Sequence, residues 1–174
     1  MVIGDRTWTD YEVEVSIRIG APSPDADAAP SNGPGVGLAL RWTGHNDSLW
    51  PGYQPSSGFV AQGSDSVFGA LLFWRDQRTR TPAFELYDEH GAVVESAAPF
   101  SMSPGVDYVF KAQVEGSQPT TYRWKVWRQD QAEPQEWMIE HQTVGWASDA
   151  GAGSVALIAH EIDASFGTVY VRPL

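Results

Sequence analysis

The sequence predicts an all-β fold, built as two antiparallel sheets packed face to face, and three observations carry that prediction. Apolar and polar residues alternate with a period of two through several segments of seven to ten residues, the signature of strands with one buried face. No stretch longer than a turn repeats its apolar residues at a helical spacing with capping residues around it. Clusters of Gly, Pro, Asn, Asp and Ser interrupt the strands at irregular intervals. A single domain with this many strands must close into a barrel or pack as two sheets, and long strands with irregular loops favour the sandwich.

In chain order, Tyr11, Val13, Val15, Ile17 and Ile19 alternate with Glu12, Glu14, Ser16 and Arg18, a half-buried strand. Residues 21–35 carry Pro22, Pro24, Pro30 and Pro34 among Ala, Ser, Asp and Gly and read as a long exposed loop. Residues 36–42 form the next strand, with Val36, Leu38, Leu40 and Trp42 on one face and small residues plus Arg41 on the other. Residues 43–65 are polar loop with isolated rings at Trp50, Tyr53 and Phe59. Strands follow at 68–75, 83–87 and 92–96, the last two joined by the turn-like Asp88-Glu89-His90-Gly91. Residues 106–115 and 122–128 alternate again, with a hairpin across 116–120. After a weakly patterned connection bearing Trp137 and Trp146, strands at 154–159 and 165–171 complete the chain. Trp124 and Trp127, three residues apart on one strand, must face opposite sides.

Length and charge narrow the function. The 174 residues suit one domain, 1–174, and no apolar run reaches a membrane span. Twenty-two acidic residues against eleven Lys and Arg give a formal charge of −11, a surface that repels phosphate backbones and anionic lipid. Nucleic acid and membrane are therefore poor partners, whereas neutral polymers and cations remain open. The absence of cysteine removes thiolate chemistry and thiolate metal sites. Against this background, aromatic residues reach 12%, with eight Trp.

The order of segments resembles the LamG-like members of the concanavalin A-like jelly rolls. The matching pieces are Gly4-Asp5-Arg6-Thr7-Trp8-Thr9-Asp10-Tyr11 leading into a strand, Gly35-Val36-Gly37-Leu38 followed by Arg41-Trp42, the hairpin of 106–115 and 121–127, and the ending Gly153-Ser154-Val155-Ala156-Leu157 with Ala164-Ser165-Phe166-Gly167-Thr168-Val169-Tyr170-Val171. This covers nearly the whole chain. The resemblance implies a two-sheet jelly-roll sandwich with a concave and a convex face, used in such domains to bind glycans or proteins beside a catalytic domain. It also implies an extracellular or cell-surface module, a bacterial domain cut from a longer protein whose neighbouring domains are further partners. Family members commonly end in Phe-Asp-Asn near a structural cation, whereas here Gly167 and Thr168 follow Phe166.

Several constellations invite chemistry. His160-Glu161-Ile162-Asp163-Ala164-Ser165-Phe166 resembles the start of the catalytic strand of laminarinase-type glycosidases, yet the third carboxylate is replaced by Ser165 and Phe166, and retaining hydrolysis needs two acids about 5 Å apart. Read without that resemblance, the segment is a loop into the last strand. His45, His90, His141 and His160 show no zinc spacing, and no nucleophile elbow or phosphate loop occurs. Hard oxygen ligands make calcium the expected ion, with Asp25 and Asp27 or Asp163 as its candidate ligands, although Asp-x-Asp in a Pro/Ala loop also reads as plain solvation. A glycan site needs exposed rings near polar side chains. Arg41, Trp42, His45, Trp50, Tyr53, Trp74 and His160 are the ligand candidates, against a background in which sandwich cores consume most aromatics. The expected function is a non-catalytic carbohydrate-binding or accessory module, with a structural or adhesion domain and a polysaccharide hydrolase or lyase as rivals.

Overall fold

The computed structural model describes residues 1–23, 34–42, 72–73, 83–87, 93–143 and 151–174. These form strands β1 (Val2–Ile3), β2 (Tyr11–Pro22), β3 (Gly35–Trp42), β4 (Leu72–Phe73), β5 (Ala83–Tyr87), β6 (Val93–Pro99), β7 (Asp107–Glu115), β8 (Thr120–Arg128), β9 (Ile139–Thr143), β10 (Ser154–His160) and β11 (Ile162–Pro173). There is no helix among the described residues. The back layer is a five-stranded antiparallel sheet ordered β11-β2-β7-β8-β9, and the front layer comprises β1-β10-β3 and β4-β5-β6. The predicted all-β sandwich is thus the observed fold.

The period-two pattern explains why the layers close. Tyr11, Val13, Val15, Ile17 and Ile19 of β2 are all buried and meet Val36, Leu38 and Leu40 of β3, Phe84 and Leu86 of β5 and Val155 and Leu157 of β10 in one core. Phe84 of the front layer meets Phe110 of the back layer edge to face at 5.7 Å, and burial of each such ring contributes about 1.5–3 kcal/mol. Trp124 faces this core, stacked on Tyr122, while Trp127 lies on the other side of β8 with Lys111 5.8 Å from its ring. The weakly patterned connection contains a strand that alternation does not reveal, because β9 is a short edge strand, Ile-Glu-His-Gln-Thr, whose His141 faces Tyr122.

The outer face of the back sheet holds the chain's two lysines. Lys111 and Lys125 sit under the β8–β9 connection, both binding the Glu133 carboxylate, at 2.9 and 2.7 Å. Lys125 also donates to the Pro134 carbonyl at 2.9 Å and lies 4.6 Å from the Trp137 ring, which fixes that connection to the sheet. Burial alone would lower the Lys111 pKa, but hydrogen bonds to Glu133 and Glu14 outweigh it and leave it raised. Glu133 is held below its ordinary value, first by its hydrogen bond to Lys125.

Candidate functional site

One irregularity in β3 organises the front layer. Ala39 pairs with Ala156 and Trp42 with Ser154, so Leu40 and Arg41 together oppose the single residue Val155. This is a β-bulge, with Arg41 in the left-handed region at φ 50°. The bulge requires a glycine opposite, because a Cβ on Gly153 would fall 2.3 Å from the Arg41 carbonyl carbon. Tyr11 secures it from the back sheet: its hydroxyl accepts the Arg41 N–H at 2.6 Å and donates to the Ser154 carbonyl at 3.1 Å. Burial pushes the Tyr11 phenol up to about 12.

The bulge exchanges the faces expected for two candidate residues. Arg41, predicted to stand beside the small residues and meet a ligand, is fully buried. Its guanidinium donates to the Thr9 carbonyl, the Thr120 hydroxyl, the Gly116 carbonyl and the Asp10 carboxylate at 2.7–3.2 Å. It serves the fold at the end of the sandwich and does not face a ligand, because an extra residue in the strand turns it inward. Trp42, predicted to share the core face of Val36, Leu38 and Leu40, instead packs on the outer face against the cluster of Ala39, Tyr87 and Ala156.

That outer face is the candidate site. Its floor is made of residues with little or no side chain, since Gly35, Gly37 and Ala39 of β3 lie opposite His160, Ile158 and Ala156 of β10. Trp42 and Tyr87 pack over the Ala39 and Ala156 part of this floor. On β5, Glu85 alternates onto the same face and accepts a 2.5 Å hydrogen bond from the Tyr87 hydroxyl. His160, at the far end of β10, is half-buried and shares this face by alternation. The site therefore combines the half-buried Trp42 ring, the Glu85 carboxylate bonded to the buried Tyr87 phenol, and the half-buried His160 imidazole over a floor whose Ala39 and Ala156 are themselves buried. The sequence reading missed Glu85 and Tyr87, although the alternation of Ala83-Phe84-Glu85-Leu86-Tyr87 puts both opposite the core residues Phe84 and Leu86.

The other candidates distribute differently. His45, Trp50, Tyr53, Trp74, Asp25 and Asp27 lie outside the described residues. Glu161 takes a left-handed conformation, φ 52°, as the chain passes from β10 in the front layer to β11 in the back layer. The pass separates His160 from Asp163, so this segment is a layer crossing and not a row of cooperating acids. Asp163 is exposed on β11 and shares a shallow hollow with Arg18 and Gly20. Calcium takes six to eight oxygen ligands, and among the described residues no three or more His, Asp or Glu side chains are grouped to hold an ion.

Comparison with known proteins adds the fold and little beyond it. No family model matches the chain, and no curated protein matches its sequence. Among solved structures, the chain is similar to the alginate lyase Aly36B, determined as a double mutant in complex with an alginate trisaccharide. The TM-score is 0.50 at 10% identity, covering 99% of this chain and 73% of that one. Similarity at that identity shows a shared β-sandwich architecture.

Proposed function

We propose that the outer face of the front layer binds a polysaccharide and that the chain acts as a non-catalytic, LamG-like jelly-roll module. The observation that supports this reading is the half-buried Trp42 ring on the same face as the half-buried Glu85 and His160. The floor residues Ala39 and Ala156 and the Tyr87 ring are buried, so the groups this face offers a polymer are the half-buried Trp42 ring for C–H surfaces and the half-buried Glu85 and His160 for hydroxyls. The neighbour's alginate trisaccharide is consistent with a glycan ligand.

Affinity electrophoresis through gels containing neutral polysaccharides or alginate tests the reading. Retardation by at least one polysaccharide is expected. Trp42→Ala should weaken it about tenfold, equivalent to about 1.4 kcal/mol. Mobility unchanged in every gel would sink the proposal.

A second reading is favoured by the short Tyr87–Glu85 hydrogen bond on the same face as His160. In a polysaccharide lyase a base removes the proton beside a uronate carboxylate, the neighbouring glycosidic C–O bond breaks, and the leaving oxygen takes up a proton. Release of unsaturated ends from alginate, abolished in Tyr87→Phe, would favour this reading over the accessory one.

A further inference from the structure

We propose a second binding site, in the pocket between residues 7–10 and the end of β11, that takes a single neutral, hydroxyl-rich ring, that is, a pyranose sugar. The pocket measures about 400 Å³, within the roughly 300–1,000 Å³ that small-molecule sites occupy. Trp8, Val171 and Pro173 supply its apolar wall and Thr7, Thr9 and Asp10 its polar one.

Two features make this a built site. The first is a ring fixed in advance. The Trp8 carbonyl accepts the Gly153 N–H at 2.9 Å, and its indole meets Tyr11 edge to face at 5.8 Å. Gly4, at φ 101°, lies so close to the benzene part of that indole that a Cβ would come within 2.2 Å of it. A ligand stacking on Trp8 would therefore have little side-chain motion to arrest. The second feature is a set of unspent polar groups. Asp10 uses one carboxylate oxygen, Oδ1, to accept from the Gly116 N–H at 2.8 Å and from Arg41 at 3.2 Å. Its other oxygen and the Thr7 and Thr9 hydroxyls make no hydrogen bond among the described residues, and the Asp10 side chain is 42% exposed.

An indole face beside an anchored carboxylate and two hydroxyls matches the C–H face and hydroxyl edge of a sugar ring. The carboxylate selects against uronates and phosphates, which would bring a second negative charge to it. The pocket also differs from the front-layer face in its residues, so the two sites succeed or fail separately.

The test follows the Trp8 indole N–H resonance of the whole chain, assigned through Trp8→Phe, during titration with methyl glycosides of glucose, galactose, mannose and glucuronic acid. At least one neutral glycoside should shift that resonance saturably, with the glucuronide at least tenfold weaker. Asp10→Asn retains the acceptor for Gly116 and should weaken binding about tenfold. Because Asp10 also supports Arg41, Thr7→Trp provides a second variant that fills the pocket from an exposed position and should abolish binding with no loss of thermal stability. Trp42→Ala and Glu85→Gln should leave the Trp8 shift intact. No shift with any glycoside, equal binding of the glucuronide, binding that survives Thr7→Trp, or binding lost in Trp42→Ala would each overturn the proposal.

Discussion

Removing one hydroxyl, in Tyr11→Phe, tests whether the β3 bulge is held from the opposite sheet. The Tyr11 oxygen accepts from the Arg41 amide at 2.6 Å and donates to the Ser154 carbonyl at 3.1 Å, both in a buried setting. Phenylalanine fills the same space, so the loss is that of two hydrogen bonds without a cavity. A buried polar group deprived of its partner costs about 1–3 kcal/mol, which makes about 2–6 kcal/mol for the pair. Urea unfolding near neutral pH measures this. A second prediction is linked to it. The folded-state pKa of about 12 lies above the ordinary value of 10.0, so the stability contributed by the protonated phenol is complete below pH 10 and is lost as pH rises toward 12. The wild type should therefore lose about 1.4 kcal/mol per pH unit over that window relative to Tyr11→Phe, which has no proton to lose. The gap between the two proteins should narrow by about 2.7 kcal/mol across that window. A gap below about 0.5 kcal/mol at neutral pH, the level typical of surface substitutions, would refute the reasoning. So would a gap that does not narrow between pH 10 and pH 12.

The remaining predictions address the bulge, the lysine clamp and the pairing of the two layers. Gly153→Ala places a methyl group against the Arg41 backbone and should cost at least about 2 kcal/mol in urea, with a shift in the Trp42 indole signal as the bulge moves. Glu133→Gln weakens the clamp on Lys111 and Lys125. Its side chain is 40% exposed, so solvent screening holds the cost to about 0.5–1 kcal/mol, readable as a small fall in thermal midpoint that shrinks in high salt. Because Glu133 titrates below its ordinary value, that contribution should be present at neutral pH and disappear as the solution is acidified through the carboxylate range, a trend Glu133→Gln would lack. Phe84→Ala empties the inter-layer contact with Phe110 and should cost about 3–5 kcal/mol in the same unfolding assay.

Much of the back sheet was legible in the chain because strands buried on one face leave an unbroken mark. In β2 each apolar residue of the alternation reaches the core, and in β7 Tyr108, Phe110, Ala112 and Val114 do so while Val109 shares the outer face with the polar residues. The hairpin between β7 and β8 was equally plain, with Gly116 at φ 79° where a positive angle is needed. The candidate site was less legible. Arg41 and Trp42 were picked out as ligand residues, yet the structure turns the arginine into the sandwich and brings the tryptophan out. Counting residues in twos cannot register an extra residue in a strand, and Gly153, which permits it, sits more than a hundred positions away.

Sequence by itself determined the fold class, since burying alternate residues of many strands admits few arrangements, and it set the acidic, cysteine-free surface. Tertiary structure alone decided which side chains share a surface. Glu85 and Tyr87 come from β5, Trp42 and the glycine floor from β3, and Ala156 and His160 from β10, strands distant in the chain and brought together by sheet order. The bulge that turns Trp42 outward depends on the space left by Gly153 and on a hydroxyl reaching across from Tyr11. Such dependencies are contacts between remote residues, and a local pattern carries no record of them.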